Sequence, residues 1–328
     1  MKNKHIIIAG GTGFIGQGLV KYFGKDNHIC ILSRRAVNSQ NNSYNHHVLL
    51  PVDGYDVTYR RWDGEHVEKH WSSEFEAADI VINLAGKSVN CRYNEKNKRE
   101  IFNSRTNATK AIGEAIRQCI VPPKLWINAA SATIYRHAQD RPQDEYNGEF
   151  ENDFSVQVCK KWEQSFAEQR TAFTRKVALR TGITLGTGGV MIPYFNLLKY
   201  ALGGKQGSGN QMYTWVHMED VCRVVEWLHD HHEMEGTFNL TAPNPVTNKY
   251  FMDTLRKITG HKIGLPAYKW MLKIGAALIG TEPELILKSR WVVPTKLLEN
   301  GFTFRYSTVN DALKNIIENT ERRRYHLF

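Results

Sequence analysis

Seven residues near the start, Gly10-Gly11-Thr12-Gly13-Phe14-Ile15-Gly16, leave this chain few folds to choose from. They follow a short β-branched run at 5–9 and open a stretch, 14–23, whose apolar residues recur at helical spacing. A strand that ends in a glycine turn and re-enters at once as a helix is the opening of a βαβ unit. Gly10 permits the tight turn, Gly13 lets the backbone approach a pyrophosphate, and Gly16 lets the helix pack against the strand. The helix N-terminus, with Thr12, Phe14 and Ile15 in the same cradle, supplies oriented amides for the phosphates. The motif therefore predicts a dinucleotide-binding turn.

The rest of the chain repeats that alternation. Segments 28–33, 79–85, 124–131 and 175–185 read as strands, 57–62 as a further one, and 95–119 and 155–169 as helices. Strands alternating with helices imply right-handed crossovers and a parallel sheet covered on both faces, so the expected fold class is α/β, a doubly wound Rossmann-type sheet. Beyond Leu185 a Gly-rich stretch, 203–209, precedes a strand at 213–216; Asp220 reads as a helix N-cap and 236–241 as a late strand returning to the sheet. From Thr247 onward the pattern is mostly helical, with Pro266, Pro283 and Pro294 each near the start of a helical run. The expected division is a nucleotide-binding domain at 1–185, with 213–241 returning to it, and a smaller, mostly helical lobe at 186–212 and 242–328 that caps the sheet. Arg322-Arg323-Arg324 reads as a frayed tail.

Composition narrows the function classes. Apolar residues at 41% of 328 fit a globular chain, and no apolar run approaches the roughly 20 residues of a membrane span. Neither is there a secretory apolar segment before the glycine turn, so a cytoplasmic location is expected. Cys30, Cys91, Cys119, Cys159 and Cys222 are odd in number and form no C-x-x-C pair; reduced thiols and no metal site are expected. The 43 basic against 33 acidic residues give a net charge of +10, but the basic residues are spread out and no nucleic-acid module is present. The balance points to an anionic small ligand. The expected partners are a small-molecule substrate and, for assembly, at most a homodimer; no nucleic acid or membrane partner is expected.

The second strand selects the dinucleotide. NAD-binding domains place an Asp or Glu there to accept hydrogen bonds from the ribose hydroxyls. Here Ser33, Arg34 and Arg35 follow Leu32, and a guanidinium can grip a 2′-phosphate that an acid would repel. NADP (as NADPH) is the expected cofactor.

Together with Asn83-Leu84-Ala85-Gly86 after the fourth strand and Ser131 after the fifth, the glycine motif resembles the extended short-chain dehydrogenase/reductases. Ser104-Arg105-Thr106, Cys159-Lys160-Lys161-Trp162-Glu163, Arg180-Thr181-Gly182, Trp215-Val216-His217 and Gly301-Phe302-Thr303-Phe304 narrow the resemblance to the YfcH-type family of atypical members, usually labelled nucleoside-diphosphate-sugar epimerases. It covers essentially the whole chain, C-terminal lobe included. The resemblance implies that Leu84, Ala85 and Gly86 line the ribose and pyrophosphate, that Glu100 and Arg105 reach cofactor or substrate, and that Thr184 touches the nicotinamide carboxamide through its backbone. For Arg105 a salt bridge across its helix is the structural alternative, and His217 and Asp220 are further substrate contacts to weigh.

The superfamily's chemistry uses Tyr-x-x-x-Lys on one helix face, where the ammonium lowers the phenol pKa for proton exchange as hydride moves. None of the 14 tyrosines here has Lys four residues on; Cys159 and Glu163 stand where Tyr and Lys would be. That leaves Ser131 to hold a substrate oxygen and Tyr135 or Cys159 as candidate acids, with the thiol expected to titrate near the ordinary value of about 8.5. Two functions follow: an NADP(H)-dependent oxidoreductase or epimerase on a small polar substrate such as a nucleotide sugar, or an NADP-binding regulatory protein that has lost catalysis, as the cell-division-inhibitor label of some relatives suggests.

Overall fold

The run His5–Ala9 becomes β1, and Ile6, Ile7, Ile8 and Ala9 are all fully buried, because the strand lies in the middle of a sheet covered on both faces. In the computed structural model, which describes residues 1–34, 54–272, 282 and 287–327, β1 is joined by β2 (His28–Ser33), β3 (Val57–Arg61), β4 (Ile80–Asn83), β5 (Leu125–Ser131), β6 (Arg175–Thr181) and β10 (Gly236–Leu240). Their order is β10-β6-β5-β4-β1-β2-β3, and every neighbouring pair is parallel. The chain winds outward from β1 to β3 and then returns to the far side of β1 as β4. The loops leaving β1 and β4 therefore part, opening a crevice at the C-terminal ends of these strands, where such sheets bind ligands.

Alternate side chains of each strand feed two cores. Ile6, Ile8, Ile29 and Ile31 meet α1 (Phe14–Phe23) and α6 (Met218–Asp230) on one face. On the other face, Ile7, Cys30, Leu32 and Trp126 meet α2 (Lys69–Ser72) with the 3-10 turn Ser73–Phe75, α3 (Glu95–Gln118) and α4 (Phe154–Ala167). Burying each such side chain contributes about 1.5–3 kcal/mol, so the switch point is fixed between two packed layers. Side-chain caps start α3 and α4 where the chain leaves the crevice: Asn94 accepts from the Asn97 amide and Asp153 from the Val156 amide.

Three elements differ from the sequence expectation. The run 175–185 is not one strand: at Gly182, whose amide donates to the Leu240 carbonyl (3.0 Å), the chain turns away as β7 (Ile183–Leu185). A Cβ at 182 would press to 3.1 Å on Thr214 and Thr241, so the absence of a side chain permits the crossing. β7 pairs with β9 (Trp215–His217), while β8 (Met212–Tyr213) pairs with β11 (Val246–Thr247); of 213–241, only β10 enters the main sheet.

Asp220 is not the cap of α6. His217 is, its Nδ1 accepting from the Glu219 amide (3.2 Å). Asp220, fully buried in the first turn, instead accepts from the Arg305 and Tyr306 amides (2.8 and 2.9 Å) and from Arg223 (2.9 Å), pinning the C-terminal segment to the sheet layer. Neither residue is therefore free to meet substrate.

The tail is not frayed either. Arg322–Arg324 form a 3-10 turn, Tyr325 is buried against Phe195 (5.8 Å between ring centres), and His326 stacks on His261 at 4.2 Å. These rings extend a third core shared by α5 (Met191–Lys199), α7 (Asn248–Thr259) and the helix Val309–Glu318. Arg35 and Pro283 lie outside the described residues. No helix among those described is long and apolar enough to cross a membrane.

Candidate functional site

The glycine turn comes first. Gly10 has φ +78°, its amide donates to the Leu32 carbonyl (3.1 Å), and a Cβ there would come within 3.0 Å of the Leu84 carbonyl carbon and oxygen. Glycine is what lets the β1 and β4 loops touch. A Cβ on Gly16 would lie 2.5 Å from the Gly11 Cα, so the helix needs its bare backbone to close on the turn. Gly13 precedes α1 with no side-chain cap and no acidic residue in the first turn, which leaves the Phe14, Ile15 and Gly16 amides without intrahelical acceptors. This cradle fits a pyrophosphate. Thr12 closes it by accepting from Gln17 through its carbonyl (3.0 Å). The Phe14 ring rests on the loop after β7: Cβ atoms on Gly186 and Gly189 would approach it to 2.9 and 2.7 Å. The sequence pattern Gly-x-Gly-Gly at 186–189 is the signal for that bed, and sequence reasoning missed it.

At the end of β2, Ser33 is buried and its carbonyl accepts from the Trp62 amide (3.1 Å). Arg34 beyond it is exposed, and Arg61 of β3, also exposed, stands in register with Ser33. The nearest carboxylate past β3, Asp63, is turned to the His66 ring (2.6 Å) and to the amides of Glu65 and His66; His66's hydrogen bonds hold its pKa down, to about 2, against partial desolvation.

The β4 loop is held from below. Buried Asn83 donates to Asn128 (2.7 Å) and to Thr109 (3.3 Å), while its own oxygen accepts from the Ala85 amide (3.1 Å), which fixes the Leu84-Ala85-Gly86 segment. Trp162 of α4 donates to the same Thr109 hydroxyl (3.2 Å). Glu100 and Arg105 both act on Lys87, the next residue. Glu100 forms an ion pair with its ammonium, which draws the Glu100 pKa below its ordinary value. Arg105 donates to the Lys87 carbonyl (3.1 Å), lies against Gly86 and packs over Trp162 at 5.1 Å. The alternative of a salt bridge is not realised: Arg105 has no carboxylate partner among the described residues. Its pKa is lowered by burial, the mark of a cation taken out of water without a counter-ion.

Ser131, Tyr135 and Cys159 are brought close together, but not as a proton relay. Ser131 is half-buried at the end of β5, with Oγ accepting from the Thr133 amide (3.2 Å) and lying near the Cys159 thiol. Cys159 is buried, and burial followed by the nearby Glu163 charge pushes its thiol up to about 12, far above the expected value. Tyr135 has no exposed surface. It donates to Asn239 Oδ1 (2.9 Å) and accepts from Arg180 Nη1 (2.7 Å), and burial raises its pKa despite that guanidinium. Neither candidate acid is open to a ligand in this geometry: the Tyr135 hydroxyl is sealed in the core, and the Cys159 thiol is buried with its pKa raised.

Glu163 makes a bidentate pair with Arg180 (2.8 and 2.8 Å). With Tyr135 and Asn239 the pair forms a largely buried ladder, Glu163–Arg180–Tyr135–Asn239. Only Glu163 and Arg180 were singled out as motif residues, and nothing in their spacing showed that they would meet.

Thr184 lies in β7, buried, with Oγ1 lacking a hydrogen-bond partner among the described residues. Ile183 donates to Thr214 toward β9 (3.0 Å), so the amide and carbonyl of Thr184 face the other way.

This arrangement defines a nucleotide-binding short-chain dehydrogenase/reductase fold. The NAD dependent epimerase/dehydratase family matches residues 6–241, and a domain of unknown function, DUF1731, matches residues 269–316; the chain belongs to that epimerase/dehydratase family. An epimerase family protein of Staphylococcus saprophyticus is 32% identical over 96% of this chain and 99% of its own, and the epimerase family protein YfhF of Bacillus subtilis 30% over 95% and 98%. Among solved structures, the human epimerase family protein SDR39U1 (isoform 2) with NADPH superposes with a TM-score of 0.80 at 26% identity, over 96% of this chain and 99% of that one. The atypical-family reading of the sequence motifs agrees with these matches.

Proposed function

We propose that this chain binds NADPH in the crevice between β1 and β4 and acts as an NADP(H)-linked oxidoreductase or epimerase on a small polar substrate, such as a nucleotide sugar, held beside Ser131. The observation that carries the choice of NADPH is the end of β2, where Ser33 is followed by exposed Arg34 and flanked in register by Arg61. A 2′-phosphate placed there meets guanidinium groups, and among the described residues Asp63, the acid just past β3, is turned to His66. The human relative solved with NADPH supports the same reading.

Bound NADP(H) supplies or accepts the hydride. The chain's own part is to hold and orient. The Gly10–Gly16 turn and the first amides of α1 hold the pyrophosphate, the outward backbone of Thr184 meets the carboxamide, and Arg105 offers an uncompensated cation to an anionic part of the ligand. The Thr133 amide orients the Ser131 hydroxyl toward a substrate oxygen. With Tyr135 and Cys159 both buried, proton exchange falls to water or to the substrate itself, so turnover is slow.

The Glu163–Arg180 pair favours a second reading, an NADPH-binding regulatory protein without catalysis, because it commits two motif side chains and, through Arg180, the Tyr135 hydroxyl to a fixed structural network. The test is hydride transfer from NADPH to a panel of carbonyl compounds and nucleotide sugars. The first reading expects slow oxidation that Ser131→Ala abolishes while NADPH binding persists. Tight NADPH binding with no oxidation by any member of the panel supports the second.

A further inference from the structure

The N-terminal ends of the strands, opposite the crevice, carry a cluster that the proposed function does not use. Register sets it up. His5 of β1 is paired with His28 of β2, Asp56 precedes β3 beside His28, and Asp79 precedes β4 beside His5. Residues 5 and 28 fall on the same sheet face as Ile7 and Cys30, the face over which the Ser73–Phe75 turn crosses, so Glu74 comes down onto the pair of imidazoles. The His5 and His28 ring centres are 4.9 Å apart, and His5 Nε2 is 3.7 Å from Glu74 Oε2. One nitrogen from each histidine and one Glu74 oxygen all lie within 4.8 Å of one another.

We propose that His5, His28 and Glu74 form a divalent transition-metal site of the zinc type, separate from the nucleotide crevice. Two imidazoles and a carboxylate are a donor set that suits zinc, and three protein ligands leave a fourth position for water. His5 Nε2 is buried with no hydrogen-bond partner among the described residues, which leaves its lone pair to be satisfied. Burial, and then the neighbouring His28, lower the His5 pKa, so the ring is neutral at pH 7, as a ligand must be.

The surrounding contacts match those that orient metal ligands. His28 Nδ1 faces Asp56 Oδ2 at 3.0 Å, which leaves Nε2 as the donor lone pair. Arg60 places both Nε and Nη2 at 2.7 Å from Glu74 Oε1, which leaves Oε2 for the ion. The other charged groups at this end are Asp79 and its cations: Asp79 accepts from the His5 amide (3.0 Å) and pairs with Lys124 (2.8 Å) and Lys4 (3.9 Å), so it is already engaged. Zinc binds such ligands at about 2.0–2.2 Å, so its arrival draws the three donor atoms together by roughly 1 Å, within the reach of side-chain rotation.

The test is equilibrium dialysis of the chelator-stripped, full-length protein against zinc chloride, with thermal unfolding followed in parallel. The proposal expects one high-affinity zinc per chain, with a melting temperature that rises on zinc addition. It also expects zinc affinity to fall about tenfold or more in His5→Gln and in His28→Gln, with the thermal response lost. His28 is only partly buried, so its variant keeps the test valid if His5→Gln fails to fold. NADPH titration should be the same in the wild type and in His28→Gln, because the two sites lie at opposite ends of the strands. No zinc uptake by the wild type at micromolar free zinc overturns the proposal. Undiminished uptake by His28→Gln also overturns it, since the ion then sits on other surface histidines.

Discussion

Replacing Tyr135 with Phe separates a structural tyrosine from a catalytic one. The ring is enclosed and remains packed after the change, so the perturbation is the loss of one hydroxyl that accepts from Arg180 (2.7 Å) and donates to Asn239 (2.9 Å). A hydrogen bond to a charged partner contributes about 1.5–3 kcal/mol and a neutral one about 0.5–1.5 kcal/mol, so the expected loss is roughly 2–4 kcal/mol. Glu163 continues to neutralise Arg180 from the other side, which keeps the cost below that of an unpaired buried charge. At about 2–4 °C per kcal/mol for a large domain, Tyr135→Phe should lower Tm by roughly 4–16 °C. Differential scanning fluorimetry reads that shift, and calorimetric titration should show NADPH affinity within about threefold of wild type. An unchanged Tm together with abolished hydride transfer would refute the reasoning, because the hydroxyl would then face substrate rather than Asn239.

Three further outcomes follow from the same geometry. Cys159, buried and with its thiol pushed up to about 12, should resist iodoacetamide in the folded protein while the partly exposed Cys91 reacts; peptide mapping that finds Cys159 labelled as fast as Cys91 contradicts the enclosed thiol. Burial lowers the pKa of His5, His217 and His261 below the ordinary 6.5. The unfolded chain then binds protons that the folded chain refuses, so stability present at neutral pH is lost as pH falls through 6.5 toward the folded values; urea melts between about pH 7.5 and 5.5 should show the loss, and equal stability at both would contradict it. Gly16→Ala would place a methyl 2.5 Å from the Gly11 Cα, so NADPH binding should fall by at least about tenfold; calorimetry showing wild-type affinity would remove the turn from the cofactor cradle.

The glycine turn and the elements that flank it were legible because their signals are local. β1, α1 and β2 sit where their periodicity put them, and Gly10, Gly13 and Gly16 declare a turn within seven residues. The C-terminal part was less readable. The 175–185 run carries one continuous β signal, and only the approach of Thr214 and Thr241, distant in sequence, shows why the chain breaks at Gly182. Asp220 has the residue type and position of a cap, but its partners Arg305 and Tyr306 lie some 85 residues on, so tertiary contact overrode the local preference. The same limit hid the fate of Tyr135, which only the fold brings to Arg180 and Asn239, and the meeting of His5, His28 and Glu74, which depends on strand register.

The central claim, that the β2 end is built for a 2′-phosphate, is tested most directly by calorimetric titration of NADPH and NADH into wild type and Arg34→Ala. A charge-assisted contact of about 1.5–3 kcal/mol predicts NADPH binding at least about tenfold tighter than NADH, with Arg34→Ala weakening NADPH much more than NADH. Equal affinities in the wild type, or an Arg34→Ala variant that weakens both dinucleotides alike, would contradict it.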